Sequence, residues 1–546
     1  MSYALAMERL LALAGELHTP AWAPRRKFRL EDMRVLLARL GDPQKSFPSV
    51  LIAGTNGKGS TAATLASILR SAGYRTGLYT SPHLERPNER IQIDGEEIDD
   101  HSFASHFFRV ESAGRELVEG GELPALPSFF EAVTAMAFLH FAGLPRNNAA
   151  GAAEQTIHGD VTDLPVDIAV LEVGMGGRLD ATNVVEPLLS IVTDISLDHT
   201  EWLGSTIDAI AREKAGILRQ NGMMITLPQH PEASQALGEV AIALGVRAVN
   251  AAEYIPSQGQ PERFTRNRYP LTVLGRQIEV DSPLAGRHQQ RNIALAIAAA
   301  VELNTVTNTS NGHGYNISAS QIEDGIRETV WPVRLERIRE GTLERTLGRT
   351  LEPTLERTVE PTLEPILDPI LEHAPRAGTA GARQPEVLLD VAHNPAGAWA
   401  LRSAISTLLG DGERPLTLIF GCLKDKAIGE IAQILFPLFN EVVLTRVDSP
   451  RAASIDEMLA AASQTGAIAT VESDAPRALA RAFELTPPGG LVVATGSFYL
   501  VGQVRSLLKA AGVAREVRSR GRVEAQASEA VEFAAGPLAV KQADGR

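Results

Sequence analysis

Short apolar runs suited to strands alternate with helical stretches through most of this 546-residue chain, and that alternation limits the fold more than any other feature. The N-terminal half carries "SVLIAG", a helix over 60–72, then "RTGLYT", "FFEAVTAMAFLHFA", "DIAVLEVG", "LSIVTDI" and "GMMITLP". After residue 385 the rhythm resumes with "EVLLDVAH", "LTLIFG", "EVVLTR" and "LVVATG". Parallel strands need long crossover connections, which helices supply, so the pattern predicts an α/β fold with mainly parallel sheets covered by helices. One core stops growing near roughly 250 to 300 residues, so a chain of this length calls for two such domains.

Between the two halves, residues 342–373 divide into tetrapeptides, TLER, TLGR, TLEP, TLER, TVEP, TLEP, ILDP and ILEH. The recurring prolines limit any helix there to a few residues, and known solenoid repeats are far longer, so the tract reads as an insertion without a core of its own. "RNNAAGAAEQ", "TNTSNGHG" and the tail after about 515 read as loops or disorder. Apolar residues make up 44% of the chain and no run approaches the roughly 20 that a membrane helix needs. The N-terminal "MSYALAMERLLALAGEL" is interrupted by Glu8, Arg9 and Glu16 and reads as a surface helix, not a signal peptide. A single cysteine, Cys422, excludes an internal disulfide and fits a reducing cytoplasm. The formal charge of −14 argues against nucleic acid as the partner, so anionic substrates would have to be met by local positive potential.

Such potential is offered by "AGTNGKGST", residues 53–61. It departs from the usual phosphate loop, with only Thr55 and Asn56 between Gly54 and Gly57 and an added Gly59 between Lys58 and Ser60. Every chemical part is nonetheless present. The N–H groups of Gly57, Lys58 and Gly59 at a helix N-terminus can cradle phosphates, Lys58 adds a cation, and Ser60 can reach a magnesium ion. A ligand-free glycine turn is the alternative, and the order strand, glycines, lysine, hydroxyl, helix speaks against it. Glu172 closes an apolar strand in "VLEVGMGG", and Asp198 and His199 follow the next strand in "SLDHTEWLG". Ligands of open α/β sheets bind at that edge, so a carboxylate and an imidazole from adjacent strands point to a metal–nucleotide site. Lys214 lies on a helical stretch, "TIDAIAREKAGIL", and by spacing alone would be one more solvated lysine.

These segments, together with "TSPHLERPNERIQIDGEEI", "GRHQQRN", "WPVRLERI", "DVAHNPAGA" and "TGSFYLVGQV", resemble in order the folylpolyglutamate synthase and dihydrofolate synthase family, a branch of the Mur-type ATP-dependent amide ligases. The resemblance runs to about residue 510. It implies an ATP-binding N-terminal domain at 1–316 and a smaller Rossmann-like glutamate ligase domain at 317–515, interrupted by the insertion at 342–384 and followed by a flexible tail at 516–546. It further implies that Gly54, Thr55, Asn56, Gly57, Lys58, Gly59 and Ser60 bind ATP phosphates, with Asn292 and Arg334 also on the nucleotide. Ser60, Ser81 and Glu172 would take one magnesium ion and His199 a second, with Lys214 carbamylated beside them. Lys58, Lys214, Asp390 and His393 would serve catalysis, the last two in the glutamate cleft.

The implied reaction phosphorylates a pterin-bearing carboxylate with ATP and lets the amine of L-glutamate attack the acyl phosphate. Dihydropteroate, reduced folates or both are the expected acceptors of a monomeric enzyme, with no membrane or nucleic-acid partner. A cell-wall UDP-muramyl ligase would be expected to carry a further N-terminal domain, and only about fifty residues precede the phosphate loop. A nucleotide kinase leaves "DVAHNP" unexplained, and a catalytically silent ATP-binding regulator leaves the whole residue set unexplained. One departure stands out. The family motif Trp-Pro-Gly-Arg reads "WPVR" here, so Val333 occupies a glycine position.

Overall fold

The computed structural model describes residues 2–13, 29–143, 164–256, 266–306, 314–338, 385–409 and 414–511. The insertion at 342–384, "RNNAAGAAEQ", all of "TNTSNGHG" except Gly314, and the tail at 516–546 lie outside them. Eight strands form the first sheet: β1 (Ser49–Ala53), β2 (Thr76–Tyr79), β3 (Ile91–Ile93), β4 (Glu96–Glu97), β5 (Ile168–Glu172), β6 (Leu189–Val192), β7 (Met223–Thr226) and β8 (Arg247–Asn250). Their spatial order is β4-β3-β2-β5-β1-β6-β7-β8. Strands β1, β2, β5, β6, β7 and β8 pair in parallel, and β3 and β4 turn back antiparallel at one edge. The register sets Ile52 of β1 between Glu172 of β5 and Ile191 of β6, so three strand ends open side by side.

Among the described residues of this half there are ten α-helices: α1 (Tyr3–Ala12), α2 (Leu30–Arg39), α3 (Lys58–Ser71), α4 (Asp100–Glu119), α5 (Phe129–Phe141), α6 (Thr200–Leu203), α7 (Ile207–Ala215), α8 (Pro231–Leu244), α9 (Arg287–Leu303) and α10 (Ala319–Arg327). A core with Phe103, Phe107, Phe138 and Leu171 fills one face of the sheet, and one with Ile52, Leu65, Ile297 and Ile322 fills the other. Because both faces are covered, β1 and β5 are buried at every position and read as unbroken apolar runs. Helix α5 starts at a capping box in which Ser128 and Glu131 each accept the other's backbone N–H, at 3.2 and 2.8 Å. Helix α3 begins at Lys58, two residues before the start expected from the sequence, because Gly57 caps it at a φ of 88°.

A two-stranded hairpin, β9 (Asn267–Val273) with β10 (Arg276–Ser282), leads into α9. Helix α10 packs so closely on α3 that a Cβ on Gly325 would lie 2.7 Å from the Ile68 nitrogen. A boundary at 316/317 would therefore cut α10 from the half it packs against, and the break by packing falls after Thr329, whose hydroxyl still donates to Gly325 O at 3.0 Å. The second sheet follows the order β11-β12-β16-β13-β14-β15. Its strands are β11 (Glu336–Ile338), β12 (Glu386–Leu389), β13 (Leu416–Phe420), β14 (Glu441–Thr445), β15 (Ala469–Glu472) and β16 (Leu491–Thr495). All pairs are parallel except β11 with β12.

Val333 does adopt the backbone that glycine would favour, with φ at 52°, and Leu335 shares that value. A β-branched residue there costs of order 1–3 kcal/mol. Two bonds hold the turn: the Val333 N–H donates to Glu336 Oε2 at 2.9 Å and the Leu335 N–H to Asp390 Oδ2 at 3.0 Å. The Val333 side chain offsets the strain by joining the second-domain core with Ile338 and Val391. At an ordinary buried site glycine is worse than alanine by roughly 0.5–1 kcal/mol, and at positive φ the order reverses. Val333→Gly is therefore expected to melt no lower than Val333→Ala in a thermal scan, although it removes one carbon more.

Candidate active site

The loop after β1 is wedged between the end of β6 and α9. A Cβ on Gly54 would collide with the Thr193 side chain and one on Gly57 with the Asn292 carboxamide, so glycine is required by close approach at both. The Thr55 and Asn56 N–H groups donate to the Asp194 carbonyl at 2.9 and 3.2 Å, and Thr55 Oγ1 donates to Ser196 O at 3.0 Å. These bonds fix the loop so that the first turn of α3, whose N–H groups lack partners within the helix, faces the cleft.

Two lysines converge on one carbonyl. Lys58 Nζ donates to Gly54 O at 3.1 Å and to Thr55 O at 3.3 Å, while Lys214 Nζ on α7 donates to the same Gly54 O at 2.7 Å. Lys214 is buried, and burial, reinforced by the charge of Lys58, pushes its ammonium down to about 7.

Glu172, at the end of β5, is buried and accepts the Ser81 N–H at 3.1 Å. Burial raises its carboxyl, against the opposing pull of Lys58, the Ser81 N–H, Arg334 and Arg90. Gly59 leaves space beside it, since a Cβ there would lie 3.3 Å from Glu172 Oε2 and 2.6 Å from the Trp331 ring. Among the described residues no group of three carboxylate, imidazole or thiol side chains could hold a metal. A single carboxylate beside Ser81, Ser60 and a phosphate cradle fits magnesium, which keeps water and phosphate oxygens as most of its ligands.

The second domain supplies the opposite wall. The Arg334 guanidinium lies 5.9 Å from the Trp331 ring and 5.3 Å from that of Phe498. Burial lowers its pKa, while Asp390 and Glu172 favour its charge from the two sides. Burial pushes the Asp390 carboxyl up to about 6 despite Arg334 and the N–H groups of Leu335 and Ala392. His393 is held near 4 by burial and by the neighbouring Lys426. Its Nδ1 lies 2.8 Å from Val391 O, an acceptor only, so Nδ1 carries the proton and Nε2 presents a lone pair. His199, at a φ of 49°, is likewise pushed down to about 4 by burial. Burial would raise Asp198 between them, but His199, Lys426 and His393 outweigh it and hold the carboxyl below the usual range.

Every residue given a role from the sequence, from Gly54 through Ser60 and on to His393, lines this single cleft of about 1280 Å³. The two walls touch: Asn394 Nδ2 donates to Asn56 Oδ1 at 2.9 Å, and Lys426 Nζ to Asp198 Oδ1 at 2.9 Å. Sequence reasoning missed Lys426. Its available signal was position, six residues past the end of β13 at the edge where α/β sheets bind ligands. Trp331 and Phe498 were quoted only within motifs, yet they flank Arg334.

Among the described residues no helix is long and apolar enough to cross a membrane. Residues 146–300 match the Mur ligase middle domain and residues 376–498 the Mur ligase glutamate ligase domain. The chain is 32% identical over 459 residues to the dihydrofolate synthase/folylpolyglutamate synthase of Mycobacterium tuberculosis, covering 80% of this chain and 77% of that protein. It is 30% identical over 479 residues to the folylpolyglutamate synthase of Lacticaseibacillus casei, covering 87% and 92%. Its fold superposes on the M. tuberculosis folylpolyglutamate synthase complexed with ADP and AMPPCP with a TM-score of 0.72 and 28% identity, over 93% of this chain and 99% of that one. A phosphate loop of this unusual spacing, faced across one cleft by a second α/β domain and matched along most of its length, places the chain in the folylpolyglutamate synthase/dihydrofolate synthase family of Mur ligases.

Proposed function

We propose that this ATP-dependent ligase is bifunctional, adding L-glutamate to dihydropteroate and to reduced folates that already carry glutamate. The observation that carries the reading is the meeting of the two walls. The α3 N-terminus, Lys58 and Glu172 face Arg334, Asp390 and His393 across one cleft, with Asn394 already bonded to Asn56.

In this reading the α3 N–H groups and Lys58 hold the ATP phosphates, with Asn292 and Arg334 on the nucleotide, and Arg334 offsets charge as the γ-phosphoryl passes to the acceptor carboxylate. Ser60, Ser81 and Glu172 would hold one magnesium ion and His199 a second, and bound magnesium supplies charge neutralisation at the transferring phosphoryl group. Lys214, as the free amine, would add carbon dioxide through its nitrogen, release one N–H proton to solvent and become a carbamate, a carboxylate-like group beside that site. The acyl phosphate then meets the amine of L-glutamate. Asp390 is engaged by two backbone N–H groups, so it fixes the turn and Arg334, whereas His393 Nε2 has the lone pair to receive a hydrogen bond from the amine. The C–N bond forms, the C–O bond to phosphate breaks with its electron pair leaving on inorganic phosphate, and the proton lost by the amine passes to that departing phosphate. The closed cleft keeps water from the acyl phosphate. A monomer working in the cytoplasm completes the proposal.

ATP- and magnesium-dependent ADP release with L-glutamate tests it, comparing dihydropteroate with a reduced monoglutamyl folate. Release with both acceptors is expected. Release with the folate alone would reduce the enzyme to polyglutamylation, and silence with both would overturn the reading.

A further inference from the structure

We propose that Asp198 and Lys426 form a latch that holds the second domain shut over the reaction and positions His199 and His393 as it closes. The inference rests on the ligase reading only for the chemistry so protected.

The two residues are separated by 228 positions and come from opposite walls. Their side chains are 11% and 7% exposed, and the bond between them is 2.9 Å. The same carboxylate receives the backbone N–H of His199 at 2.9 Å, which ties down a residue in the left-handed region. Its other oxygen lies 3.9 Å from Nε2 of His199 and 3.9 Å from Nε2 of His393. One acidic side chain thus lies at the meeting point of the imidazole expected at the metal, the imidazole expected at the amino acid and a lysine from the closing domain. On the far side, Lys426 is 3.8 Å from Asp425, which Arg451 holds at 2.8 Å.

A contact biases a conformational equilibrium only if it differs between the two states. When the domains part, Asp198 and Lys426 regain water separately, and together they form a nearly dry, hydrogen-bonded pair. Of the other polar contacts across the boundary, Asn394 with Asn56 is neutral, while Glu85, its own side chain 35% exposed, meets Lys509 at 3.1 Å and Arg505 at 3.7 Å. Losing one partner of a buried pair also strands the other, so single replacements act more strongly than the double one.

Domain separation can be read without turnover by energy transfer between dyes on Ile242→Cys and Ile468→Cys, both exposed and on opposite domains, while the native Cys422 is buried. With a non-hydrolysable ATP analogue and magnesium bound, Lys426→Met and Asp198→Asn are expected to lower transfer. For Lys426→Met the affinity for the analogue should stay within about threefold, because the phosphate loop lies in the other domain, while kcat falls about 30- to 100-fold. Lys426→Arg should recover part of both signals, and the double variant should be no worse than the worse single. Unchanged transfer in Lys426→Met, or single effects that multiply in the double variant, would overturn the latch. A rise in KM for glutamate with transfer unchanged would overturn it as well, assigning Lys426 to the amino acid. Should the wild type release no ADP with either acceptor, the ligase reading fails while energy transfer still decides the latch.

Discussion

Lys58→Ala is expected to cut ADP release by about 1000-fold or more, with the protein still folded. The ammonium rests on the carbonyls of Gly54 and Thr55, two neutral acceptors on its own loop, and among the described residues no carboxylate is hydrogen-bonded to it. It is therefore available to move onto a phosphate oxygen, where charge grows during transfer. Removing it leaves the loop's bonds to Asp194 and Ser196 in place, so the melting temperature should hold within a few degrees. Nucleotide affinity should fall less than turnover, because the α3 N-terminus remains. A second effect is expected at Lys214, which feels Lys58 as an adverse charge and should regain part of its basicity in the variant. Turnover within tenfold of wild type, measured by coupled ADP release, would remove Lys58 from the chemistry.

Glu172→Gln is expected to lose at least about 100-fold in kcat while melting at the same temperature or higher. Glutamine has the same shape, and its amide oxygen can still accept the Ser81 N–H. Burial already penalises the charge of this carboxyl, so a neutral isostere relieves that penalty in the absence of ligands. The loss should appear instead as a demand for magnesium. Raising the metal concentration should recover part of the activity, whereas raising ATP alone should not. Calorimetric melting beside a magnesium titration of ADP release separates the two effects. A variant with wild-type magnesium dependence would exclude Glu172 as a ligand.

The central strands were legible because covering both faces of a sheet leaves their residues no choice but to be apolar, as in "VLIA" of β1 and "IAVLE" of β5. The phosphate loop was legible because its glycines are forced by close approach, to Thr193 and Asn292. The β9–β10 hairpin was not. Its two-residue turn is Leu274-Gly275, with φ of 51° and 74°, and the leucine hides what asparagine would have announced. Nor does sequence carry the extent of α10's packing, since Gly325 matters only through its contact with α3. Lys426 carried only a positional signal, because a lysine gains this surrounding only when a carboxylate 228 positions away folds against it.

Strand β11 is bonded to β12 in the second sheet, with Ile338 opposite Val387, and α10 is bonded by packing to the first domain. Glu328 is still paired with Arg70 of α3 at 3.8 Å and Thr329 Oγ1 donates to Gly325 O at 3.0 Å, so the stretch 330–332 separates the two attachments before the strained turn at Val333 and forms a short axle between the domains. Arg334 stands next to that axle and His393 and Lys426 farther out, like points on a swinging door. A rotation that leaves Arg334 almost in place sweeps the outer residues through a much longer arc. In the proposed reaction, the nucleotide end of the cleft would thus stay engaged while the amino-acid end opens to exchange product for the next glutamate.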